Sequence, residues 1–492
     1  MRDLFLAIDV GTGSIRAGLV DRRGQIVALS AQPHEQIVPQ HGWSEQRPAE
    51  WWDGTVGAVR DVLDKVDGGA GRVAAVAACG QMHGTVLVDP DGALTRDAVP
   101  LWNDKRSEPQ AERLRARLGQ SAMRLGANVP TPAWPATKLM WLMEHDAQAV
   151  ARAAHVLMPK DWINFRLTGL AAQDVTEASM SFLMDPETRD WSPALLEATE
   201  LPRALLPPIR DPASILGPVT DAAAAETGLP AGLPVLSGGG DYPVALFGSG
   251  ASAPGLASDV TGTSTILTVI NNAPVPDPTL ANVGTVEGLW GTLILLDAGG
   301  DAPRWARRAF HDNAVGFDAI EAAAAAVSPG CDGLICLPYL SGERARPETR
   351  AQFFGLTAAH GMGALHRAVL EGVAFSVRHR LDAALGETRP ERVIAAGGGA
   401  RSALWLQIKA SIYGAPFVVP EEPECGLVGS AAMAAAATGT YGSLGEAVGA
   451  MVRYGPEIAP DPAWQEVYER MVPIYADLYT AALPFHGRLA EI

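Results

Sequence analysis

Positive charge is in short supply. The chain carries 38 lysines and arginines against 55 aspartates and glutamates, a formal net charge of −17. That balance excludes nucleic acid and anionic membranes as general partners. It still permits an anionic ligand, because glycine turns bind phosphate through backbone N–H groups and a metal ion adds positive charge. Cysteine is scarcer, limited to Cys79, Cys331, Cys336 and Cys425. Their spacing fits no zinc pattern, and four are few for a secreted chain of 492 residues. Buried free thiols in a cytoplasmic protein are expected. No apolar run reaches the roughly 18 residues of a membrane helix; the alanine-rich stretches 320–327 and 430–438 are too short. The short apolar run before Asp9 does not read as a signal peptide. The length is too great for one core, so two domains are expected, with a boundary near 247–248.

What the chain does have is glycine at strand ends. Leu4–Ile8 is an apolar run ending on Asp9; Gly11, Thr12 and Gly13 follow, and a second apolar run covers Ile15–Val20. The pattern predicts a strand, a tight turn and an antiparallel return. Gly11 and Gly13 are expected at positive φ, with amides near an anion and Asp9 near a divalent cation. An ordinary hairpin with a solvated aspartate fits the same stretch. A second copy starts at Ser258: Asp259, Val260, Ser264, Val269 and Ile270 repeat Asp9, Val10, Ser14, Leu19 and Val20 at a constant offset of 250. Two such turns suggest a duplicated architecture in which each half offers one glycine turn to a shared cleft.

Trp51, Trp52, Val56 and Val59 have helical spacing and read as core. Val73–Ala78 reads as a buried strand that delivers Met82 and His83 to its carboxyl end, where open α/β sheets bind ligands. His83 alone would be structural; Trp102, Asn103 and Asp104 on a similar edge suggest a pocket for a polyhydroxylated substrate. Residues 105–227 are mostly helical in pattern. Val235–Ser237 is a strand running into Gly238-Gly239-Gly240-Asp241, where the glycines would let backbone approach a ligand closely. Asp241 is either a helix N-cap or a general base for an attacking hydroxyl, or both. In the second half, 364–385 is an amphipathic helix and Arg392–Ala396 a strand before Gly397-Gly398-Gly399, a nucleotide seat. Tyr339–Arg344 reads as a polar loop. Residues 426–437 form a small-residue helix suited to close packing, and the last 30 residues a helix that crosses back to the first domain.

These motifs resemble the FGGY carbohydrate kinases, and within them the xylulokinases, over about residues 4 to 480. The matching pieces are AIDVGTGS at 7–14, WSEQ at 43–46, GQMHG at 80–84, LWND at 101–104, PKDW and RLTG within 159–169, GGGD at 238–241 and TGTS at 261–264. LPYLSGER at 337–344, FFGLT at 353–357, LEGVAFS at 370–376 and GGGARS at 397–402 continue the series. Two signature patterns are each missed at one position, Ala133 and Ala364. The resemblance implies an α/β chain of two actin-like, ribonuclease-H-like domains, 1–247 and 248–492, with ATP and sugar in the cleft between them. By position, Asp9 and Asp241 would hold Mg²⁺, and Asp241 would be the catalytic base. Gly11, Thr12 and Gly13 would form one phosphate loop and Thr261, Gly262, Thr263 and Ser264 the other. Gly398, Gly399 and Ala400 would lie against adenosine. Met82, His83, Trp102, Asp104 and Tyr242 would meet the sugar. The family usually has Asn or Gln where this chain has Tyr242, followed by Pro243, which leaves the sugar's identity open.

The expected activity is ATP-dependent phosphorylation of a ketopentose, D-xylulose first. Another ketose or a short polyol is the alternative substrate. An actin-like ATPase without a sugar, or a catalytically dead sugar sensor, would be alternatives of a different class. Expected partners are sugar and ATP, with a homodimer possible and neither nucleic acid nor membrane involved.

Overall fold

The computed structural model describes residues 2–343, 346–386 and 388–491. Arg344 of the expected polar loop lies outside the described residues. The chain forms two compact units: Met1–Ser252 with Asn271–Gly291 and Glu424–Arg453, and Ala253–Ile270 with Thr292–Pro423 and Tyr454–Ile492. Compact units and sequence halves therefore do not coincide. The segment that joins the first unit late in the chain is 424–453. The C-terminal helix Pro462–Ala490, expected to cross back, packs instead on helices Met362–Leu385 and Ala403–Tyr413 of the second unit. No described helix is long and apolar enough to cross a membrane.

The first unit is built on a seven-stranded sheet. Leu4–Val10 runs antiparallel to Ser14–Asp21, which pairs antiparallel with Ile26–Pro33. On its other side Leu4–Val10 lies parallel to Val73–Gly80, against which Pro234–Leu236 and Gly239–Gly240 pair in parallel. Side-chain alternation sorts the two faces. Leu4, Leu6, Ile8 and Val10 meet Trp51, Trp52 and Val59 of helix Pro48–Asp64 and Trp162 and Ile163 of helix Pro159–Thr168. Phe5 and Ala7 face the helix Cys425–Ala437, whose Leu427, Val428 and Met433 share their cluster. That helix is small-sided for a reason: a Cβ on Gly429 would overlap the Val244 carbonyl, and one on Gly248 the Cys425 carbonyl.

The second unit repeats the plan. Leu256–Thr261 pairs antiparallel with Thr265–Asn271 and parallel with Arg392–Ala396, which pairs with Phe417–Val418. All four cysteines are buried thiols.

Candidate active site

Three strand ends lie side by side in the first unit. Asp9 is in register with Cys79, and Gly240 with Gly80. Helix Asp241–Ser249 starts immediately after, which sets Asp241 at the same sheet edge. Asp9 is only 4 % exposed. Its Oδ2 pairs with Arg16, the residue directly opposite in the antiparallel ladder, and Arg16 also meets Glu424 at 2.5 Å. Its Oδ1 is buried without a hydrogen-bond partner. Burial raises the Asp9 pKa against the pull of Arg16. Burial, then the Asp9 charge, pushes Asp241 up to about 7, against the Tyr242 amide, which donates to its Oδ1 at 2.7 Å, and Arg16. An orphaned carboxylate oxygen beside a second carboxylate fits a divalent cation, which would favour the ionised form of both. A further acidic group, Asp161, Asp174 and Glu177, already surrounds the Lys160 ammonium.

The turn at 11–13 differs from expectation. Neither Gly11 nor Gly13 has positive φ. The Gly11 amide donates to the Ser14 carbonyl at 3.1 Å and is not turned outward. The absent side chain matters at Gly13, where a Cβ would enter open space. The turn is braced from behind: Gln46 Nε2 donates to the Thr12 carbonyl at 2.6 Å, and the Thr12 hydroxyl donates to Gln81 Oε1 at 3.2 Å. Trp102, 47 % exposed, donates its indole N–H to the Thr12 hydroxyl at 3.2 Å, so it stands over this turn.

Met82 packs against Gly240; a Cβ there would come within 2.8 Å of its sulfur. His83 is buried at φ +71°, its ring 5.1 Å from Trp134 and its Nδ1 without a partner. Burial, then the Lys138 charge, lowers its pKa to about 3, so the imidazole is neutral. Lys138 Nζ donates to the His83 carbonyl at 2.9 Å and holds that loop. Asp104, expected at the sugar, instead braces the loop around it. Its carboxylate accepts from the Ser44 amide at 2.7 Å and from Arg106 through Nε at 2.9 Å and Nη2 at 2.7 Å. Arg106 in turn lies 3.6 Å over the Trp43 ring. Saturated by buried donors, Asp104 has little left for a ligand. The glycines 238–240 also serve the fold. Gly238 has φ +69° and a Cβ would overlap the Ala78 carbonyl, while one on Gly239 would crowd Val244.

In the second unit the repeated hairpin pairs one residue further along. Val10 pairs with Ile15, but Val260 pairs with Ile266, so cross-strand partners do not keep the constant offset of 250. Asp259 therefore faces Leu267 rather than an arginine, and Lys409 supplies the charge at 2.7 Å, with Tyr413 donating at 3.0 Å. Thr261 is buried, its hydroxyl donating to Asp259 and accepting from Lys409, both at 2.6 Å; it is not presented to a phosphate. Gly262 and Thr263 are exposed. The turn rests on Gly300, whose amide donates to the Gly262 carbonyl at 2.9 Å, and Arg304 reaches the Thr263 hydroxyl at 3.0 Å. Ser264 is half-buried. Gly397 and Gly399 pack onto Thr261, which brings the exposed Gly398 and the half-buried Ala400 beside the same turn.

Sequence reasoning missed Arg16, Lys138 and Gly299–Gly300. Counting the hairpin register outward from its turn would have found Arg16; the other two come from distant segments and carry no local signal.

The model of the N-terminal domain of the FGGY family of carbohydrate kinases matches residues 4–248, and that of the C-terminal domain matches 257–438. The chain is 33 % identical to the xylulose kinase of Escherichia coli K12 over 419 residues, 84 % of this chain and 85 % of that protein. The crystal structure of xylulose kinase from Rhodospirillum rubrum superposes with a TM-score of 0.91 at 30 % identity, covering 98 % of this chain and 100 % of the other. A gluconate kinase from Lactobacillus acidophilus matches with the same TM-score of 0.91 at 25 % identity, covering 99 % of this chain and 100 % of that one. With both halves matched in order and two α/β units to carry them, the chain belongs to the FGGY family of carbohydrate kinases and is a sugar kinase.

Proposed function

We propose that this kinase passes the γ-phosphoryl group of ATP to the terminal hydroxyl of a ketopentose, D-xylulose first, with Asp241 as general base. The observation that carries the reading is the Asp241 carboxylate beside Asp9 at the shared strand edge, its pKa pushed up to about 7. Before any cation is bound, a base of that strength accepts a hydroxyl proton far better than an ordinary carboxylate, yet is half ionised near neutrality. As the sugar oxygen bonds to the γ-phosphorus and the bond to ADP breaks, the hydroxyl proton passes to Asp241. Met82 and the unpartnered His83 Nδ1 orient the sugar; Trp102 covers the Thr12 turn. In the first unit, residues 11–13 offer a turn to phosphate; in the second, 262–264 with 398–400 offer a nucleotide seat. A magnesium ion held by Asp9 Oδ1 and Asp241 would neutralise charge building on the phosphoryl oxygens. Arg16 opposes the rise that burial imposes on the Asp9 pKa.

An ADP-release assay over D-xylulose, other ketoses, glycerol and D-gluconate tests the substrate. D-Xylulose should give the highest kcat/KM; negligible turnover of it beside a strong alternative would discard it. Asp241→Asn should lower kcat on the order of 10²–10⁴-fold. Sugar-independent ATP hydrolysis without a phosphosugar product would point to a plain ATPase.

A further inference from the structure

The segment that delivers Asp241 is clamped at both ends by side chains from one other stretch, 160–176. At its start, the Ser237 carbonyl accepts from Lys160 Nζ at 3.0 Å and from Asn164 Nδ2 at 2.7 Å. At its end, the Gly240 amide donates to the Thr176 hydroxyl at 2.9 Å. Thr176 is itself oriented: its hydroxyl donates to Asp174 Oδ1 at 2.5 Å, and the other oxygen of Asp174 takes Lys160 Nζ at 2.7 Å. Lys160, Asp174 and Thr176 are all fully buried. The same ammonium meets Asp161 at 2.5 Å and Glu177 at 3.2 Å, so three carboxylates share one cation. Gly80 and Gly238 make room for it, since a Cβ on either would lie 3.1 Å and 3.3 Å from the Lys160 side chain.

Such a cluster is an expensive way to stabilise a core, because buried ion pairs roughly break even with apolar packing. What it supplies is geometry: a hydroxyl whose proton is committed to Asp174 must present a lone pair to Gly240. We propose that Thr176, locked by the Lys160–Asp174 pair, is a positioning residue for phosphoryl transfer that fixes the Gly240 amide and through it the Asp241 carboxylate. This rests on Asp241 being the base. Thr176 is fully buried and its hydroxyl is taken by Asp174 and the Gly240 amide, so its loss should appear in kcat rather than in affinity for ATP.

Four variants, Thr176→Val, Thr176→Ala, Thr176→Ser and Asp241→Asn, are compared for kcat, for both KM values and for thermal unfolding in the full-length enzyme. Thr176→Val should lower kcat on the order of 10- to 100-fold, the scale of a misplaced reacting group, with KM for ATP unchanged and the protein folded at the assay temperature. Thr176→Ser, which keeps the oxygen, should restore most of it. Wild-type kcat in Thr176→Val, equal damage in Thr176→Ser, or failure of both Thr176→Val and Thr176→Ala to fold would overturn the proposal. An active Asp241→Asn would instead remove the base, a separate failure.

Discussion

At the scale of the residue, two shifted groups leave separate marks on stability. Asp241 is raised from 3.8 to about 7 by burial first and the Asp9 charge second. The folded protein therefore holds a proton there that the unfolded chain releases. The resulting stabilisation is fully present below 3.8 and is lost as pH rises through about 7. Lys138 is lowered from 10.5 to about 7 by burial first, with the Arg106 charge adding to it and Asp104 opposing. Its folded form prefers to be neutral, so stability is lost as pH falls from 10.5 to about 7 and does not change further below. Melting curves against pH should show Asp241→Asn flattening the slope on the acid side of 7 and Lys138→Met flattening the alkaline side; identical slopes in all three proteins would refute both assignments. Tyr242 calls for a different measurement. A phenol where the resemblance leads one to expect an amide alters which hydroxyls can be bonded, and Tyr242→Asn should change the ratio of kcat/KM between D-xylulose and D-gluconate on the order of 10-fold. An unchanged ratio would take Tyr242 out of substrate selection. Much at this scale is legible in sequence. The Asp9 hairpin, Met82-His83 after a buried strand and the Asp after three glycines are short-range patterns that place these residues where the strands end. Asp104 and Thr261 misled because a polar residue in a motif can face inward, and only its partners, Arg106 and Lys409, reveal that.

At the scale of the element, the glycines divide into those the fold needs and those whose side-chain space it leaves open. Gly238 sits at φ +69° with its α-carbon against the Ala78 carbonyl. Gly238→Ala combines left-handed strain with a backbone clash, and should destabilise by at least ~2 kcal/mol. Gly13 has ordinary φ, is exposed, and has no atom within 4 Å of the point to which a methyl would project. Gly13→Ala should melt like the parent, yet raise KM for ATP on the order of 10-fold, the equivalent of one lost backbone–phosphate contact. Urea unfolding and ATP titration of the two variants check this; a destabilised Gly13→Ala with normal KM would reverse the roles. The sequence pattern places both glycines at strand ends but not their reasons, because a glycine run reads the same whether a ligand or a neighbouring strand occupies the space. The second hairpin teaches the same lesson. Its first strand copies the first hairpin residue for residue at Asp259 and Val260, but one more residue between Val260 and its partner shifts the return strand and moves every cross-strand partner.

At the scale of the molecule, the first unit is not a contiguous piece of chain. Its sheet is covered on one face by helix Cys425–Ala437, with Ala447, Val448 and Met451 following in the same cluster. The five large apolar residues brought by that segment, Leu427, Val428, Met433, Val448 and Met451, are each nearly or fully buried. At ~2 kcal/mol apiece they contribute about 10 kcal/mol, comparable to the ~5–15 kcal/mol that holds a typical domain folded. A fragment of residues 1–252 would expose Phe5, Ala7, Ala75 and Ala77 where that helix belongs. It should fail to unfold cooperatively and should bind a hydrophobic dye, whereas a fusion of 1–252 to 424–453 through a flexible linker should recover a cooperative transition. A fragment that melts sharply by itself would show that the sheet's second face is sealed without the returning helix. This long-range dependence leaves only a faint trace in the sequence: the run of small residues at 426–437 announces close packing, but which strand face awaits it is settled by Phe5 and Ala7, more than 400 positions earlier, and by Ala75 and Ala77.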